Sequence, residues 1–163
     1  MSADMVVNVA KAAWEVFKDG APSGEITSST ANAVPQVDDW QTLAGARGPM
    51  AIRGHWERLC AWPFEDYVVA DFTFLLKWDY AATYRGGGAF IPNLWLEVPS
   101  YDIFWGQHLD LRLTVRNPTN AGTPQAPLAR LPVTIAGTAS NGLRNLHVEW
   151  GLTVFGDGTW QAA

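Results

Sequence analysis

At 163 residues, 48% of them hydrophobic, the chain has the size of one domain, and folding hides about two-thirds of the surface exposed when it is unfolded. Its single cysteine, Cys60, excludes an internal disulfide framework and reads as a small buried apolar residue. With 16 acidic and 11 basic side chains the net charge is −5, and Lys and Arg are scattered rather than gathered in a stripe, which argues against nucleic acid as a partner.

The first residues lack a basic region, and the apolar stretch from Met5 is broken by Asn8 and Lys11. Neither a signal peptide nor a transmembrane segment is expected, which leaves the compartment open between the cytoplasm and export without an ordinary leader. Over 3–18, Val6, Val9, Ala10, Ala13 and Phe17 recur at helical spacing, with Asp4 near the start and Gly20 beyond the end. The pattern predicts one amphipathic N-terminal helix, its apolar face widened by Val7 and Trp14. The Ser- and Thr-rich stretch 25–34 is β-like, 37–49 reads as loop, and 50–61 reads as a strand ending at Trp62-Pro63.

The clearest pattern runs over 68–84. Val68, Ala70, Phe72, Phe74, Leu76, Trp78, Tyr80, Ala82 and Tyr84 share one face, while Asp71, Thr73, Lys77, Asp79 and Thr83 share the other. A period of two over that length predicts a half-buried strand long enough to need a bend. Arg85-Gly86-Gly87-Gly88 turns the chain into 89–98, where Leu94, Leu96 and Val98 alternate with Asn93, Trp95 and Glu97. A corner at 101–106 precedes the alternating Leu109, Leu111, Leu113 and Val115. The stretch 117–127 has three prolines and no apolar period and reads as a long surface loop. Leu131, Val133 and Ile135 make a strand that Pro132 assigns to an edge, Asn141-Gly142 a hairpin turn, and Leu146, Val148, Trp150, Leu152 and Val154 the last long strand.

Strands joined by short turns, with no helices between them, predict an antiparallel β-sandwich with one N-terminal amphipathic α-helix. The chain is expected to be a single domain, 1–163, with the helix at 3–18 and strands across 24–160. The expected core is Phe72, Phe74, Leu76, Trp78, Tyr80, Leu111, Leu113, Val133, Ile135, Val148, Trp150 and Leu152.

No catalytic, metal or nucleotide motif is present. The glycine run at 86–88 is followed by neither a helical pattern nor Gly-Lys-Ser/Thr, and His55, His108 and His147 lack the short spacing of a helical metal pair. No cofactor or metal is expected, and the reading leans away from an enzyme. His108 and Asp110 share the polar face of a strand, a placement equally suited to acid–base work and to plain solvation.

The aromatic residues of the strands and their turns divide between the core (Phe72, Phe74, Trp78, Tyr80 and Trp150) and the rim (Trp95, Tyr101, Phe104, Trp105 and Trp160). Trp95 with Asn93 and Glu97, and the corner Tyr101, Asp102, Phe104, Trp105 and His108, place broad rings beside polar groups, which suits the C–H face and hydroxyls of a sugar. They are the candidate ligand-binding residues of a non-enzymatic, lectin-like carbohydrate-binding module. An N-terminal amphipathic helix before a β-sandwich is also similar to the layout of actinoporin-type pore formers, whose aromatic membrane-binding loop Val98-Pro99-Ser100-Tyr101-Asp102 with Trp105 resembles. That resemblance implies a toxin-like protein with a membrane lipid surface as partner. A third expectation is a structural subunit that self-assembles as a homo-oligomer through exposed aromatic strands.

Overall fold

The structure, a computed structural model, describes residues 12–15, 23–28, 31–33, 43–62, 65–103, 107–116, 118–140 and 145–163. Its strands are β1 (Ala12–Glu15), β2 (Ser23–Ser28), β3 (Ala31–Ala33), β4 (Arg47–Trp62), β5 (Glu65–Tyr80), β6 (Ala82–Tyr84), β7 (Gly87–Ile103), β8 (His108–Val115), β9 (Thr119–Asn120), β10 (Ala129–Ser140), β11 (Asn145–Phe155) and β12 (Trp160–Ala162). One sheet has the order β1-β2-β8-β10-β11-β12, with β9 attached to β10. The second has the order β3-β7-β5-β4, with β6 attached to β7. Strand pairing is antiparallel except between β2 and β8, and a single parallel bridge joins Ala89 to Leu128. Among the described residues there is no helix. Most of the helix expected at 3–18 lies outside them, and the four residues of that span that are described, Ala12–Glu15, are extended against β2.

The alternation read in the sequence becomes the wall of the core. Phe72, Phe74, Leu76 and Trp78 of β5, Leu94 and Leu96 of β7, and Leu109, Leu111 and Leu113 of β8 are buried, as are Leu131, Val133 and Ile135 of β10 and Leu152 and Val154 of β11. They form one cluster between the sheets, with Tyr80, Val148 and Trp150 half-buried against it. Trp150 ties the layers together. Its ring meets Phe72 edge-on at 5.9 Å and Phe74 at 4.9 Å, contacts of roughly 0.5–1.5 kcal/mol each beyond burial. Gly137 leaves room for the Phe72 ring of the facing sheet: an added Cβ would lie 3.0 Å from that ring and 3.1 Å from Leu111.

The bend expected in the long strand falls at Ala81, whose φ of 58° ends β5 and starts β6. The assignment of the Pro132 strand to an edge is corrected, because β10 lies between β8 and β11. Proline is tolerated there because the β9 ladder stops at Arg130 and that of β8 begins at Val133. At this end of the β8 pairing the Pro132 carbonyl accepts from the Arg116 N–H at 3.0 Å, and proline forgoes only the single reciprocal bond. Residues 118–127 of the expected loop form a surface connection with its own order: the Asn120 Oδ1 accepts from the N–H groups of Gly122 at 2.8 Å and Leu128 at 2.9 Å.

Candidate functional site

The outer face of the first sheet carries a polar trough, and the residue sizes on three adjacent strands create it. Burying Leu109, Leu111 and Leu113 turns His108, Asp110 and Arg112 of β8 outward, and burying Ile135 and Ala139 turns Ala136, Thr138 and Ser140 of β10 outward. The register sets Asp110, Thr138 and His147 in one row across the sheet, and Arg112, Ala136 and Glu149 in the next. The central strand thus presents small side chains between two rows of long ones. The result is a hollow of about 410 Å³ lined by His108, Asp110, Arg112, Ala136, Thr138 and His147.

Polar contacts hold these walls in place. His108 Nε2 lies 2.9 Å from Asp110 Oδ1, Thr138 Oγ1 lies 3.1 Å from His147 Nδ1, and His147 Nε2 lies 3.5 Å from Glu149 Oε2. Hydroxyl, imidazole and carboxylate follow one another there in the order of a nucleophilic triad. The surroundings are those of a binding surface instead: β10 is paired on both flanks, so its N–H groups are committed to the ladder and supply no oxyanion donors, and His147 and Glu149 are both 57% exposed to water. Arg112 and Asp110 offset each other's charge in the lining, beside two imidazoles, with donors and acceptors interspersed.

The outer face of the second sheet is built differently. Lys77 stands opposite Trp95, and Glu97 bridges them, accepting from Trp95 Nε1 at 2.9 Å and from Lys77 Nζ at 2.8 Å. The Lys77 hydrogen bond first and the Trp95 N–H second hold the Glu97 carboxyl below the ordinary glutamate range. Asp79, opposite Asn93, is pushed upward by burial. Farther along, His55 Nε2 lies 2.6 Å from Asp71 Oδ1, and Glu57 stands directly opposite Asp71. This trio is the donor set among the described residues that could hold a divalent cation, one nitrogen and two carboxylates suiting a borderline metal. His55 and Asp71 already satisfy each other without one.

The sequence candidates are divided between these faces. Trp95 and Glu97 are brought together, and Asn93 lies on the same strand and face, half-buried. Asp102 is exposed opposite Asp71 on the second sheet, whereas His108 lines the trough on the first beside Asp110, so the two polar ligand candidates of the corner belong to opposite sheets. Tyr101, opposite Phe72, is 37% exposed. Phe104 and Trp105 lie outside the described residues. Arg112, Thr138 and His147 were missing from the candidates. Arg112 continues the outward alternation of His108 and Asp110, while the other two join it only through the β10–β11 register.

No family model, curated protein or solved structure matches the chain. Among the described residues no helix is long and apolar enough to cross a membrane.

Proposed function

We propose that the protein is a non-enzymatic binding module that takes a neutral carbohydrate in the trough of the first sheet. The observation that carries this reading is the row arrangement: small Ala136 and Thr138 between the long polar side chains of β8 and β11, enclosing about 410 Å³. A sugar hydroxyl both donates and accepts. Asp110 accepts, Arg112 donates, and Thr138 with the imidazoles can do either, so adjacent hydroxyls find partners of alternating sense. Near charge balance favours a neutral polyol over a strong anion.

Glycan-array binding followed by calorimetry on the best ligand tests the assignment. Arg112→Ala and Asp110→Asn should each weaken binding by about tenfold to a hundredfold, the effect of losing a hydrogen bond to a charged group. A blank array, or binding indifferent to both substitutions, overturns the trough. A second reading places the sugar on the other sheet, favoured by the half-buried Trp95 indole that Glu97 and Lys77 hold in one orientation. Loss of binding on Trp95→Ala with the trough variants silent would select that face. Leakage from lipid vesicles by the unmodified protein would point instead to the membrane-active layout.

A further inference from the structure

β4 ends the second sheet, and among the described residues nothing pairs with its free edge. A strand of 16 residues left this way presents a long row of unpaired N–H and C=O groups. Its register slips at Arg47/Met50 and again at Arg58/Leu59, so 50–58 is a regular run between two irregularities, about 30 Å long at the usual rise. Apolar area accompanies the open backbone. Met50 is 37% and Leu59 50% exposed, and Ile52 and Trp56 are only half-buried on the face turned toward the first sheet.

The side chains along this run complement themselves. Arg53, His55 and Glu57 are exposed on the outer face, with the two opposite charges equally spaced about His55. An antiparallel copy related by a two-fold axis at His55 sets Arg53 opposite Glu57 of the second copy and Glu57 opposite its Arg53, two cross-strand ion pairs from one symmetry operation. On the inner face the same register sets Gly54 opposite Trp56. The Phe74 ring lies directly beneath Gly54, where even a Cβ would collide with it, and Trp56 meets Phe72 edge-on at 5.5 Å. Each indole would therefore meet across the seam the Phe74 ring that occupies the space over Gly54, and extend the aromatic layer of one sheet into the next.

We propose that β4 pairs antiparallel with β4 of a second copy of this chain about a two-fold axis at His55, joining the two outer sheets into one. The association is strand addition, with backbone hydrogen bonds giving affinity and the Arg53–Glu57 pairs fixing register. It stands apart from the carbohydrate reading, since the trough lies on the other sheet.

Sedimentation velocity over a concentration series tests the pairing. The unmodified chain should show a monomer–dimer equilibrium. Arg53→Glu and Glu57→Arg should each raise the dimer dissociation constant more than about tenfold, because every substitution enters a two-fold interface twice and creates like-charge contacts. The double exchange R53E/E57R, which restores opposite charges, should recover dimer. Near-UV circular dichroism checks that the variants keep their tryptophan packing, and hydrogen exchange on the unmodified chain gives a second reading: the alternate amides of 50–58 that do not bond to β5 should gain protection as concentration rises. A monomer at every concentration overturns the proposal, as does a dimer indifferent to Arg53→Glu, or a double exchange that folds and stays monomeric. Concentration-independent protection of the edge-facing amides also overturns it, by showing that the chain covers its own edge.

Discussion

The two outer faces share one core yet have opposite relief, and the difference lies in the middle strand of each. Over 134–140 the outward residues of β10 are Thr134, Ala136, Thr138 and Ser140, small enough that Arg112 and the histidines of the neighbouring strands rise above them. On β5 they are Asp71, Thr73, Leu75, Lys77 and Asp79, and Lys77 reaches the neighbouring strand to bind Glu97, filling the space where a trough would be. Concavity on a sheet is thus a matter of side-chain length on one strand relative to its neighbours. No change of backbone is needed to make a site or to remove one.

The comparison breaks most severely if the shared core is damaged, since both faces hang on it. Trp78 is fully buried, and its indole N–H has no partner among the described residues. Trp78→Ala should cost roughly 3–5 kcal/mol in denaturant unfolding, whereas Trp78→Phe, which leaves most of the ring and removes the unpaired donor, should cost about 1–2 kcal/mol. Equal costs would mean that the N–H has a partner that matters.

A change of relief alone should alter binding while sparing the fold. Ala136→Leu fills the floor of the trough and should abolish carbohydrate binding, with a stability change within about 0.5 kcal/mol, as for an ordinary outward position. Leu75→Ala, at the half-buried outward position on β5, should leave that binding intact. If Ala136→Leu binds normally, the ligand does not sit on β10.

How far these faces could be read from the chain differs for a physical reason. The period of two marked which side of each strand faces inward, and the burial of Phe72, Phe74, Leu76, Trp78, Leu111, Leu113, Val133, Ile135 and Leu152 agrees with it. Phe90 and Ile91, adjacent and both buried, escaped because they break that period where the chain enters the sheet from the Arg85-Gly86 turn. The trough escaped for want of register. A two-residue turn at Asn141-Gly142 would set Thr138 opposite Asn145, whereas the observed Ser140–Asn145 pairing sets it opposite His147. Alternation gives a residue's face; its neighbours across the sheet depend on where each turn closes, and 101–108 looked like one corner although its ends join different sheets.

The smallest effect sharpens the second face, where two carboxyls are shifted in opposite directions. Glu97 is held low by Lys77 and Trp95, so the fold favours its ionised form. Its contribution is fully present above the unfolded glutamate range and is lost as pH falls through the lower value of the folded state. Asp79 is raised by burial, so the fold disfavours its charge, a penalty present above its folded value and relieved on acidification as the folded state takes up the proton first. Glu97→Gln should therefore lower the unfolding midpoint slightly at neutral pH and converge on the unmodified protein in acid, while Asp79→Asn should raise it slightly at neutral pH and likewise converge. The effects stay small because Glu97 is open to solvent, which screens its ion pair with Lys77. Midpoints measured across the acid range distinguish the two carboxyls by sign, and a Glu97→Gln difference that persists below the carboxylate range would assign its role to shape or packing around Trp95 instead of charge.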